Sequence, residues 1–210
     1  EFVAQPVRAS EVAFRGAIWD VRRDRVDLGE AGEVTREYIE HPGAVAVVAL
    51  RQHQGRDELI LIKQYRHPVK ATEWELPAGL LDVAGEAPHR AAERELAEEV
   101  DLHADRWHHL TDVFPSPGGL GEAIRVYLAR DLHDVPPEQR HQRDGEELGM
   151  PLAWIDLDDA VTAVLSGRLT NALAQLGVLA TAAARDRHWQ TLRPVDIPFH
   201  AHPAYRQDTE

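Results

Sequence analysis

No cysteine occurs among the 210 residues, which excludes disulfides and thiolate metal sites. No apolar run reaches the ~20 residues that span a bilayer, and no basic segment followed by an apolar stretch opens the chain. A cytoplasmic protein without a membrane partner is the expectation. Positive charge is scarce: 23 Lys and Arg stand against 36 Asp and Glu, a formal net charge of −13. Such a balance argues against a nucleic-acid polymer as partner. The 12 histidines are scattered singly apart from His108 and His109, and none has a zinc-binding spacing. Internal repeats, low-complexity blocks and long linkers are also missing.

What remains is an ordinary globular composition, 43% hydrophobic and 28% charged. The length suits one domain with a substantial core, or one domain with a small appendage. Residues 12–42 read as β structure, VAFRGAIWDVRRDRVDL and EVTREYIEH separated by the turn GEAGE. The run AVAVVAL at 44–50 has the continuous apolarity of a buried central strand. ELILIKQYRH, HHLTDVF, AIRVYLAR and MPLAWIDL read as further strands. Helices are expected from about Pro88 to Val100, over DDAVTAVLSG, and over NALAQLGVLATAAARDRHW. The connection DLHDVPPEQRHQRDGEELG is polar and proline-containing and is expected to move; the tail from Arg193 reads as irregular. Strands outnumber helices without strict alternation, which indicates an α+β or mixed-sheet sandwich.

The stretch Gly79–Leu102, GLLDVAGEAPHRAAERELAEEVDL, concentrates carboxylates behind a glycine-rich turn. On a helix, Glu95, Glu98 and Glu99 stand at i, i+3 and i+4 and share one face. Exposed, such a face costs a few tenths of a kcal/mol. Partly buried, each like-charged pair would cost about 3 kcal/mol at ~5 Å and an effective dielectric near ~20. A hard divalent cation with oxygen ligands would cancel that repulsion.

From Glu86 the chain reads E-x7-R-E-L-x-E-E-x-x-L. This resembles the Nudix box, G-x5-E-x7-R-E-U-x-E-E-x-G-U with U a bulky aliphatic, the signature of hydrolases that cut nucleoside diphosphates linked to another moiety. Two positions depart from it. Six residues, not five, separate Gly79 from Glu86, and Gly85 is placed to absorb the extra one. Asp101 stands where the box has its last glycine, at a helix end where a left-handed cap is usual. Asp tolerates that conformation better than most residues.

The resemblance implies a Nudix α/β/α sandwich with a mixed sheet over 43–210. A small N-terminal β region, 1–42, would precede it and build a homodimer, as in relatives that cleave ADP-ribose. It also implies Mg²⁺ or Mn²⁺ held by Glu95, Glu98, Glu99 and the Ala78 carbonyl. Arg94 would orient the carboxylates, and Glu86 would support the loop–helix geometry. Glu147 would serve as general base, with Glu146 an adjacent alternative. Arg66 and Arg36 match arginines near the diphosphate and adenine. Glu75 would line the pocket beside Trp74, which itself suits the core. Pro117 and Gly118 lie in SPGG, where such enzymes carry a proline, and Glu122 would meet the terminal ribose. The expected reaction is hydrolysis of ADP-ribose to AMP and ribose 5-phosphate. Alternatives are another nucleoside diphosphate sugar, a dinucleoside polyphosphate, or a sensor that binds ADP-ribose without cutting it; the intact R-E-L-x-E-E string opposes the last.

Overall fold

The computed structural model describes residues 2–143 and 148–206. Among the described residues, ten strands and three α-helices make an α+β protein, in the class the sequence indicates. The chain divides into two compact units. One holds the described residues up to Gly43 together with Val113–Ile124 and the described residues from Pro198; the other holds Ala44–Asp112 and Arg125–Ile197.

The first unit contains an antiparallel meander of β1 (Val7–Arg15), β2 (Asp20–Asp27) and β3 (Glu33–Ile39). The sequence suggests two β segments here, and the structure has three strands. Gly16 makes the break: its N–H donates to the Trp19 carbonyl at 3.1 Å, and a Cβ on it would lie 2.3 Å from that oxygen. The meander buries little. Its faces carry ion pairs instead, Arg23 with Glu11 and Glu37, and Arg22 with Glu40. Exposed pairs of this kind contribute ~0–1 kcal/mol each. Phe14 and Ile18 stand exposed beside them.

In the second unit the main sheet has the order β10-β5-β4-β9-β8, with β6 paired to β5 and β7 to β4. These strands are β4 (Ala44–His53), β5 (Arg56–Arg66), β6 (Ala71–Glu75), β7 (Ala78–Leu80), β8 (Leu102–Val113), β9 (Ile124–Asp134) and β10 (Leu152–Asp156). β4 explains the layering. Its residues alternate faces, and all seven from Ala44 to Leu50 are buried. Val45, Val47 and Ala49 pack with Ala91, Ala92, Leu96 and Val100 of α1 (Pro88–Val100). Val48 faces the other way, toward α3 (Ala172–Asp186), where a Cβ on Gly177 would come within 3.0 Å of Val48 and 2.6 Å of Leu76. Helices therefore cover both faces, the layering the resemblance implies.

Local signals set the helix ends. Pro88 occupies the first turn of α1, where its missing N–H costs nothing. Asp156 caps α2 (Leu157–Leu165) by accepting from the Asp158 and Asp159 amides, and Asn171 caps α3 through Ala174. The described part of the tail is irregular, as expected, and is fastened at Arg193 and Ile197. His109 and Arg193 exchange backbone hydrogen bonds at 3.1 and 3.4 Å, and buried Arg125 donates to the Ile197 carbonyl and to Asp112. No helix among the described residues is long and apolar enough to cross a membrane.

Candidate active site

The turn, helix α1 and strand β7 bring the acidic residues of the second unit together. The residue in excess of the box falls in a turn closed by the Glu86 N–H on the Val83 carbonyl at 3.1 Å. Gly85 adopts φ +79° there, in open space, a conformation glycine takes without cost. At the other end of α1, Asp101 adopts φ 56° and ψ 38° and its N–H caps the Leu96 carbonyl. The aspartate thus performs the glycine's left-handed closure.

Arg94 is the hub of the cluster. Its guanidinium grips Glu86 through two bonds of 3.1 and 3.2 Å, and also donates to Glu95 at 2.6 Å and Glu98 at 3.0 Å. The hydrogen bonds to Glu86, then the charge of Glu95, raise its pKa far above the ordinary arginine value. Glu99, 6% exposed, accepts from the Ala78 N–H at 2.8 Å, which fixes its carboxylate beside the Ala78 backbone. Gly79 is needed for space. A Cβ there would lie 2.0 Å from Cδ and Oε1 of Glu95, well inside any real contact.

These groups suit a hard divalent cation: the donors are all oxygens, three carboxylates share one helix face, and the backbone of Ala78 and Gly79 lies against two of them. As they stand, no cluster of three or more His, Asp or Glu among the described residues is arranged to hold a metal. Glu95 and Glu98 are turned onto Arg94 instead.

Arg66 and Glu75 also belong to the second unit. They form a bidentate pair at 2.9 and 2.8 Å, with Glu75 buried and Arg66 partly exposed. The Trp74 ring lies 5.4 Å from the Lys63 ammonium.

The first unit holds the other expected substrate residues. Arg36 lies on β3 and donates to the Thr35 carbonyl at 2.9 Å. The loop carrying Pro117 and Gly118 is tied to the end of β3: Ile39 donates to the Gly119 carbonyl at 3.0 Å, and Gly121 to the Ile39 carbonyl at 2.9 Å. Glu122 stands 3.4 Å from Nε2 of His41. Glu146 and Glu147 lie outside the described residues.

Two participants escape a reading of the sequence. Arg143 donates to the Glu98 carbonyl at 2.9 Å and to the Asp101 carboxylate at 2.6 Å. The connection expected to move is therefore tethered to the end of α1 at Arg143, and Asp101 does a second task that glycine could not. His41 is the other. Its Nδ1 accepts from the Gly43 N–H at 3.1 Å, leaving Nε2–H to face Glu122. Nothing local in HQR or HPGA announces either contact.

The model of the NUDIX domain family matches residues 40–176. The chain is 44% identical over 191 residues to a protein named ADP-ribose pyrophosphatase from Mycobacterium tuberculosis, covering 91% of this chain and 89% of that one. A protein of the same name from Bacillus subtilis is 34% identical over 164 residues, 78% of this chain and 85% of the relative. A solved structure described as an ADP compounds hydrolase superposes with a TM-score of 0.71 at 20% identity, covering 89% of this chain and 97% of that one. That last likeness is one of fold.

The histidines beside Glu122 make stability depend on pH. Burial, then the charge of His202, lowers the pKa of His41; burial also lowers that of His202, whose Nε2 donates to the Pro42 carbonyl and whose Nδ1 accepts from Ala204. In His41 the 3.4 Å contact with Glu122 does not outweigh burial. The unfolded chain protonates both rings near the ordinary histidine value while the folded chain keeps them neutral. Stability is therefore full above about pH 6.5 and falls as pH drops through that value toward the lower folded pKa values. Urea unfolding midpoints should decline between pH 7.5 and 5.5; a flat or rising profile over that window would contradict this.

Proposed function

The chain belongs to the NUDIX family, and on that premise we propose that it hydrolyses ADP-ribose to AMP and ribose 5-phosphate. The observation that carries the reading is the 44% identity, over 91% of the chain, to a protein named ADP-ribose pyrophosphatase. The unbroken Arg94, Glu95, Glu98 and Glu99 string accompanies it. Water adds across the pyrophosphate: its oxygen forms the new P–O bond, the bridging P–O bond breaks, and one proton leaves to a base.

Mg²⁺ or Mn²⁺ bound at Glu95, Glu98, Glu99 and the Ala78 carbonyl would neutralise the diphosphate and acidify the attacking water. Glu95 and Glu98, now hydrogen-bonded to Arg94, would supply carboxylate oxygens to the ion, and the fork of Arg94 on Glu86 would keep the guanidinium anchored. Glu147 accepts the water's proton, with Glu146 as the alternative. Arg143, held on Glu98 and Asp101, fixes the start of the segment that carries both. Arg66 meets the diphosphate, held in place by Glu75. Arg36 reads adenine or phosphate, which suits a planar cation. Glu122 accepts from ribose hydroxyls, and Pro117 and Gly118 shape the loop beside it.

The protein is proposed to be a cytoplasmic homodimer. The support is the N-terminal meander, which buries little yet exposes Phe14 and Ile18. A sheet of this size is seldom stable without a covering partner. Sedimentation should give twice the 23.5 kDa chain mass; a monomer at micromolar concentration would remove the dimer from the account.

A panel of nucleoside diphosphate derivatives, scored for rate and products, tests the reaction. Release of AMP from ADP-ribose should require the divalent ion and fall by roughly a hundredfold or more in Glu95→Gln and Glu99→Gln. ADP-ribose left intact by folded enzyme with Mg²⁺ would overturn the reading. In the same assay, Glu147→Gln should slow turnover with metal affinity preserved; if only Glu146→Gln does so, the base is Glu146.

A further inference from the structure

A second cleft, of about 550 Å³, opens in the sheet unit at the far end of β4. Arg51, Arg106, Arg130, Asp57, Asp131 and Trp189 are among its lining residues. β7, which carries Ala78, pairs with Ala44–Ala46, whereas the cleft begins at Leu50. Four or more residues at roughly 3.3 Å each separate the two, on the order of 13 Å along the strand. Three arginines line the cleft in a chain of net charge −13; Asp57 and Asp131 line it with them, and Glu58 already pairs with Arg51.

The arginines differ in what they already hold. Arg51 pairs with Glu58 at 2.7 Å and lies 3.8 Å over the Trp154 ring. Arg106 donates to Asp131 at 2.8 Å. Arg130 forms no ion pair or side-chain hydrogen bond among the described residues; its contact is the face of Trp189, 4.7 Å away, and its Nε is buried with no acceptor. Burial, then the charge of Arg106, lowers its pKa, with Asp131 and Asp57 only partly compensating. His108, next along that face of β8, also has a buried Nδ1 with no partner, and burial, Arg130 and Arg106 lower its pKa. A buried donor without an acceptor costs ~1–3 kcal/mol, more when charged.

The backbone around the cleft is strained as well. Asp131, His188 and Trp189 all adopt positive φ, at 56°, 51° and 63°. Each such non-glycine residue costs on the order of 1–3 kcal/mol. At Trp189 that conformation ends α3, with its N–H on the Ala184 carbonyl at 2.8 Å, and sets the indole against Arg130.

We propose that this cleft binds a phosphoryl group, as inorganic phosphate or a small phosphate monoester, with Arg130 as the principal ligand and Arg106 assisting. The guanidinium fork matches two phosphoryl oxygens, and Trp189 holds its plane in place. An anion gives Arg130, which has no ion pair among the described residues, an acceptor for its buried Nε and relieves its repulsion with Arg106. The cleft has room for a sugar phosphate but not for a nucleic-acid duplex. This site does not depend on the catalytic reading of the acidic helix.

The test is a titration of the full chain with inorganic phosphate and, separately, ribose 5-phosphate, at constant ionic strength and with a chelator present to exclude metal-bridged binding at the acidic helix. Saturable thermal stabilisation is expected, with a tryptophan fluorescence change that Trp189→Phe abolishes. Arg130→Met should weaken the affinity by roughly tenfold or more with an unchanged far-UV spectrum. If Arg130→Met does not fold, Arg106→Gln, at an exposed position, should still weaken binding. Tighter binding of ribose 5-phosphate identifies a monoester site; equal binding identifies a phosphate-ion site. Absence of saturation, unaltered affinity in both arginine variants, or equal affinity for acetate would each overturn the proposal.

Discussion

Glu95 reaches into the space that a side chain at Gly79 would fill, and its carboxylate is held there by Arg94. Much of the acidic site depends on that close approach. β7 can lie against α1 at this distance only because Gly79 has no Cβ, and the same closeness lets Glu99 take the Ala78 N–H. Arg94 then bridges the turn and the helix by holding Glu86, Glu95 and Glu98 on one guanidinium. Like charges that would repel in a half-buried cluster are kept together by one multidentate cation.

The surrounding fold serves this arrangement. β4 is buried on both faces, so α1 is pressed against one side of the sheet and α3 against the other. The α1 end is closed by Asp101, whose left-handed backbone replaces a glycine and whose carboxylate holds Arg143. A departure from the family pattern thus provides a tether for Arg143. At the opposite end of β4 the sheet carries Arg130, which has no ion pair among the described residues and a buried Nε without an acceptor, and the strained turn at His188 and Trp189 lies beside it.

Features with a local cause were legible in the sequence. The Pro88–Val100 helix, the buried run at Ala44–Leu50, the glycine that absorbs the extra loop residue and the cap at Asp101 all follow from neighbouring residues. The Arg94 string was readable as a motif because its spacing is that of a helix face. The Gly16 break was missed because the flanking residues are themselves strand formers. Pairings across long separations left no local signal: Arg143 with Asp101, His41 with Glu122, Arg130 with Trp189. Each joins elements that only tertiary packing brings together, and each involves a residue type that is ordinary on a surface.

The most direct test of this account is Gly79→Ala, followed by Mn²⁺ affinity from electron paramagnetic resonance and by turnover of ADP-ribose. A Cβ at that position must displace the Glu95 carboxylate by more than an ångström from its present place. The account predicts weakened metal binding and turnover lower by about a hundredfold, with the far-UV spectrum unchanged. Wild-type metal affinity and turnover in Gly79→Ala would contradict it.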